Sequence, residues 1–159
     1  MYVYFYTRFK DEVRIHCGDI FIFLNDATAS STTNCYQIKN ADSKNLCLAT
    51  AKSEASYCYQ ISNADTKNAC LADVKSERSF CYQIRDADGR NSCLGLSRQE
   101  SSYCFQISNA DERNYCLAAV KGEKSYCYQI RDADSRYACL STVSGNKSQC
   151  YQISSQDLR

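Results

Sequence analysis

The chain has 159 residues, twelve of them cysteine, with a formal net charge of +1 and neither proline nor tryptophan. A near-neutral balance of mixed signs argues against a general nucleic-acid or anionic-membrane binder, which needs a basic stripe. No apolar run approaches the roughly 18 residues of a membrane-spanning helix. Large aliphatic residues are scarce beside thirteen tyrosines, so an ordinary Leu/Ile/Val core is hard to build and covalent or metal staples are expected instead.

Residues 1–29 form a non-repeat N-terminal segment. Tyr2-Val3-Tyr4-Phe5-Tyr6 and Ile20-Phe21-Ile22-Phe23-Leu24 are two aromatic-apolar runs separated by charges. Three readings fit them: a hairpin that caps the first repeat, a poorly ordered leader, or a defective export signal. Ala27-Thr28-Ala29 has the small-x-small pattern of a cleavage site, but Asp11, Glu12 and Asp19 intrude on the stretch before it. His16, the only histidine, lies here beside Cys17.

Residues 30–159 repeat with a 23-residue period, about five and a half times. Cys35, Cys58, Cys81, Cys104, Cys127 and Cys150 open the units; Cys47, Cys70, Cys93, Cys116 and Cys139 follow, each 12 residues later. The first cysteine is followed by Tyr or Phe, then Gln, then Ile; the second is always followed by Leu. The apolar spacing around each cysteine fits one face of a short helix, as in Tyr57, Cys58 and Ile61, or Cys70, Leu71 and Val74. The expected fold is therefore all-α: a disulfide-stapled solenoid of short helical hairpins, with helices of about 8–10 residues that would be marginal alone. Asp65 and its equivalents are expected to cap the second helix. Ser53 or Ser76 is expected to start the other, and Asn63 or Asp86 to close the preceding one. Gly122 and Gly145 mark a turn.

Regular single cysteines without any Cys-x-x-Cys pair point to disulfides formed in an oxidising compartment rather than to zinc. Two pairings place cysteines symmetrically about a turn. One, across Asn-Ala-Asp, joins Cys58 to Cys70. The other, across Lys-Ser-Glu, gives Cys47–Cys58, Cys70–Cys81, Cys93–Cys104, Cys116–Cys127 and Cys139–Cys150. The second is preferred from the chain ends, because it leaves only Cys17 and Cys35, which are near each other in sequence.

No nucleophile, base and orienting group recur together, so the sequence points to no enzyme, no cofactor and no metal set. Asp42, Asp65, Asp88, Asp111 and Asp134 read as helix caps rather than catalytic acids. Gln37, Gln60, Gln83, Gln106, Gln129 and Gln152 suggest a polar ladder or bonds to neighbouring backbone. Lys44, Lys67, Arg90, Arg113 and Arg136 are expected to pair with acids of a neighbouring unit. Positions that vary or expose tyrosine on a constant frame suit recognition: Lys39, Arg85, Arg131, Tyr59, Tyr82, Tyr115 and Tyr128 are the candidate interaction surface. The leading expectation is a non-enzymatic, periplasmic or secreted scaffold that binds a protein, for example a toxin that it neutralises. Self-assembly into filaments, and thiol-based metal binding or redox sensing, are the alternatives.

Overall fold

A computed structural model describes residues 7–9, 12–14 and 35–154. The first two pieces form an antiparallel hairpin, β1 (Thr7–Phe9) and β2 (Glu12–Arg14), with Arg8 opposite Val13. The aromatic-apolar runs at 2–6 and 20–24, the Ala27-Thr28-Ala29 site, and His16 and Cys17 lie outside the described residues.

From Cys35 onward the protein is an all-helical, disulfide-stapled repeat. The long helices are α1 (Ala41–Lys52), α3 (Ala64–Val74), α4 (Ala87–Arg98), α6 (Ala110–Lys121) and α8 (Ala133–Ser144). Between them lie one-turn helices, α2 (Ala55–Cys58), α5 (Ser101–Cys104) and α7 (Lys124–Cys127), or 3-10 segments, Arg78–Gln83 and Lys147–Gln152. The two helices of a unit are thus unequal, not two of about 8–10 residues. The short one stops at the first cysteine because the Ile three residues on turns back: Ile61 donates its N–H to the Cys58 carbonyl at 3.1 Å and buries its side chain. The long one draws on helix-favouring Ala, Leu, Lys and Arg.

The caps differ from the expectation at each end. Asn40, Asn63, Asp86, Asn109 and Asp132 begin the long helices rather than closing the short ones. Each has extended backbone and accepts from an N–H of the first turn, as Asn63 does from Thr66 at 2.9 Å. Ser53, Ser76, Gln99, Gly122 and Gly145 share one repeat position in the left-handed region, with φ between 55° and 70°. They end the long helices, and after Ser53, Ser76 and Gln99 the next N–H reaches back to a carbonyl five residues earlier, as Glu77 does to Ala72 at 3.1 Å. Ser53 and Ser76 therefore do not start the short helices; Glu54, Glu77, Glu100 and Glu123 precede those, without a side-chain cap bond.

The disulfides correct the preferred pairing. Cys35–Cys47, Cys58–Cys70, Cys81–Cys93, Cys104–Cys116 and Cys127–Cys139 are bonded, with Cα–Cα distances of 5.5–5.6 Å. Cys150 is disulfide-bonded too, so the count at the chain ends gave no reason to reject this register. The two turns are not equivalent. The Asn-Ala-Asp turn doubles the chain back within one layer, and two turns of helix bring the second cysteine level with the first. The left-handed turn at Ser76 instead carries the chain into the next layer, so Cys70 and Cys81 belong to different units.

The core lies at the seams between units. Ala49 packs with the next unit's Cys58, Ile61 and Cys70; Ala72 with Cys81, Ile84 and Cys93; Ala118 with Cys127, Ile130 and Cys139. The equivalent residue in the third unit is Gly95, where an added Cβ would stand 3.0 Å from the Cys104 Sγ and 3.1 Å from the Cys116 Sγ. A small side chain at this position lets each disulfide seat against the preceding long helix.

Candidate interaction surface

Two sets of polar residues that recur in the sequence are committed to joining units. Asp65 is the second residue of α3, not its cap. Its Oδ1 accepts from the Arg85 N–H at 2.9 Å and its Oδ2 from the Asp86 N–H at 3.0 Å, both in the following unit. Asp42 holds Ser62 and Asn63 in the same way, Asp88 holds Ser108 and Asn109, and Asp111 holds Arg131 and Asp132. Asp134 accepts from Ser154. The carboxylate suits the helix N-terminus it sits in and the two amides it receives. A second ladder runs from the Asn45, Asn68 and Asn91 amides to the carbonyls of Gln60, Gln83 and Gln106. Three of the five basic residues expected to meet acids do otherwise: Arg90, Arg113 and Arg136 donate to the carbonyls of Ile84, Ile107 and Ile130, tying down their own turns. The glutamine side chains lie exposed, and those of Gln106 and Gln129 bond the Ser102 and Ser125 carbonyls.

With those groups engaged, the aromatics distinguish one face. Tyr36, Tyr59, Tyr82, Phe105, Tyr128 and Tyr151 follow the first cysteine of their units, and each is 56–80% exposed. A cation from the end of each of the first four long helices lies among these rings and a second, half-buried aromatic. Lys75 sits 5.6 Å from the Tyr59 ring and 5.4 Å from the Phe80 ring; Lys121 sits 5.6 Å from Phe105 and 5.0 Å from Tyr126. Arg98 stacks 5.5 Å from Tyr103 and donates to the Tyr82 hydroxyl at 2.9 Å. Lys52 lies 4.9 Å from Tyr57 and bonds its hydroxyl at 2.7 Å. Hydroxyl contacts with Tyr57, Tyr59 and Tyr126 hold the Lys52, Lys75 and Lys121 ammonium groups above the usual lysine range. Such placement fixes flexible side chains over ring faces and keeps them charged. An acid follows two residues after each cation; the Arg98–Glu100 pair is 3.7 Å apart. In the last unit Ser144 and Gln149 take the places of cation and inner ring, leaving Tyr128 without this arrangement.

Of the residues singled out in the sequence, Tyr59, Tyr82 and Tyr128 belong to this row. Lys39, Arg85 and Arg131 are exposed on the turns that follow the short segments, where the Asp clamps hold the Arg85 and Arg131 backbones. Tyr115 is not at the surface. It is 3% exposed between α6 and α8, its hydroxyl lies 3.2 Å from the Thr142 Oγ1, and burial raises its pKa. Tyr36, Phe105, Tyr151 and the four cations were missed as members of one surface. Their 23-residue recurrence was visible, but the turn that folds residue 75 back beside residue 59 was not.

Among the described residues no helix is long and apolar enough to cross a membrane, and no group of His, Cys, Asp and Glu could hold a metal ion. Comparison with known proteins finds no matching family model, curated protein or solved structure.

Proposed function

We propose that the protein is a non-enzymatic, extracytoplasmic binding scaffold whose contact face is the periodic aromatic–cation row. The exposed, uniformly spaced aromatics carry this reading. Six large rings standing in water on a frame of buried disulfides suit protein contact, because rigid aromatics lose little entropy when they are covered. The disulfides suit an oxidising compartment, periplasmic or secreted. They leave no thiol among the described residues for metal storage or redox sensing. A toxin neutralised by capture would be one such partner.

The test is site-specific photo-crosslinking in the compartment's own extract, with p-benzoylphenylalanine at Tyr82 or Phe105 and, for comparison, at Arg85. The reading expects a discrete protein adduct from 82 and 105. Adducts from 85 alone would overturn the row as the contact face, and adducts from none of the three would overturn the scaffold.

A further inference from the structure

We infer that the row's partner is a second copy of this chain, laid antiparallel across it so that the two rows face each other. The inference rests on the row being a contact face and adds the identity of what covers it. Three properties of the row point to a copy of itself. The first is period. An array that repeats every 23 residues offers the same rings at equal steps, and a second array matches every step at once.

The second property is charge. Four units set a cation and an acid two residues apart: Lys52 and Glu54, Lys75 and Glu77, Arg98 and Glu100, and Lys121 and Glu123. Reversing one copy about the middle of the row sets Arg98 and Glu100 of one against Lys121 and Glu123 of the other in opposite order. The chain's net charge of +1 adds little repulsion between copies. The third is area. At about 200 Å² for a full aromatic side chain, six rings that are 56–80% exposed present on the order of 700–800 Å². A pair of copies would cover about 1,500 Å², close to the roughly 1,600 Å² of a stable interface.

A two-fold axis through the middle of the row makes the contact isologous. Tyr82 then lies against Phe105 of the second copy, Tyr59 against its Tyr128, and Tyr36 against its Tyr151. This lateral contact is distinct from end-to-end stacking, which would leave the row uncovered.

Sedimentation equilibrium of the oxidised full chain across the micromolar range tests the inference, alongside a Tyr59→Ser, Tyr82→Ser, Phe105→Ser variant. Circular dichroism checks that the variant keeps its helices; these side chains are exposed, so the fold should hold. The expected result is a dimer whose Kd rises roughly 100-fold or more in the variant, as when central aromatic anchors are truncated. Photo-crosslinks from position 82 should map to the segment around Phe105 of the other copy. A monomer throughout, or a dimer unchanged by the triple substitution, overturns the inference. If position 82 instead crosslinks a different protein in extract while the purified chain stays monomeric, the self-pairing fails and the scaffold reading stands. If it crosslinks nothing in either setting, both fail.

Discussion

Five units are each closed by their own disulfide, whereas no disulfide among the described residues crosslinks one of these units to the next. Within a unit the Cys58–Cys70 disulfide spans a five-residue turn and fixes the short helix to the long one. At the seam from α3 to the next unit, Ala69 and Ala72 pack against the Cys81–Cys93 bridge and Ile84, beside the Asp65 clamp, the Asn68 bond and the Ser76 turn. The difference shows how a chain with so few aliphatic residues can fold. Disulfides supply local order to segments too short to be helical alone, and their sulfurs then become the apolar surface that neighbouring units bury.

The largest effect should come from breaking the units. A disulfide closing a loop of this size contributes about 3 kcal/mol, and five are present among the described residues. Excess reductant should abolish the helical circular dichroism; a spectrum that stays helical would show that the seams suffice. Overpacking one seam is next. Ala72→Leu forces three extra carbons against the Cys81–Cys93 bridge and should cost about 3 kcal/mol, read from the urea midpoint with disulfides intact. Asp88→Ala removes the acceptor for the Ser108 and Asn109 amides, 2.8 and 3.0 Å away. Because the site is half-buried, the loss should be about 2 kcal/mol, and hydrogen exchange should rise first at those two amides.

The seam can also be improved. Gln99 has φ 56° where two later units use glycine, so Gln99→Gly should stabilise the array by roughly 1 kcal/mol. A further effect depends on pH. Burial lifts the Asp73 carboxyl from about 3.8 to about 7, so the folded chain holds this proton to higher pH than the unfolded chain does. Its contribution is full below about pH 3.8 and is lost as pH rises towards 7. Thr50 and Thr142 occupy the same repeat position and bond the carbonyl four residues back. Asp73→Thr should therefore raise the urea midpoint at pH 8 and change it little at pH 4.

Much of this frame is legible in the sequence. The 23-residue clock and the lack of Cys-x-x-Cys lead to a stapled helical repeat. The choice of pairing was not legible, because residues 58, 70 and 81 are almost evenly spaced and only the backbone decides which turn doubles back. The caps misled for a related reason. Asn63 and Asp65 are both good capping residues two positions apart, and nothing local reveals that Asp65 faces the amides of residues 85 and 86. Gly122 and Gly145 did mark a turn, but not its left-handed backbone, which Ser and Gln adopt elsewhere. The aromatic row was half visible: the tyrosines were evident, but Tyr115 shares their chemistry and is buried, since its position faces the next long helix.

Non-reducing tryptic mapping tests the division between stapled units and uncrosslinked seams most directly. Trypsin cuts after Lys52, Lys67, Lys75, Arg78 and Arg85, which isolates the three cysteines of one unit and one seam on separate peptides. Peptide 68–75, which carries Cys70, should be found joined to peptide 53–67, which carries Cys58. Finding it joined to peptide 79–85, which carries Cys81, would contradict the account.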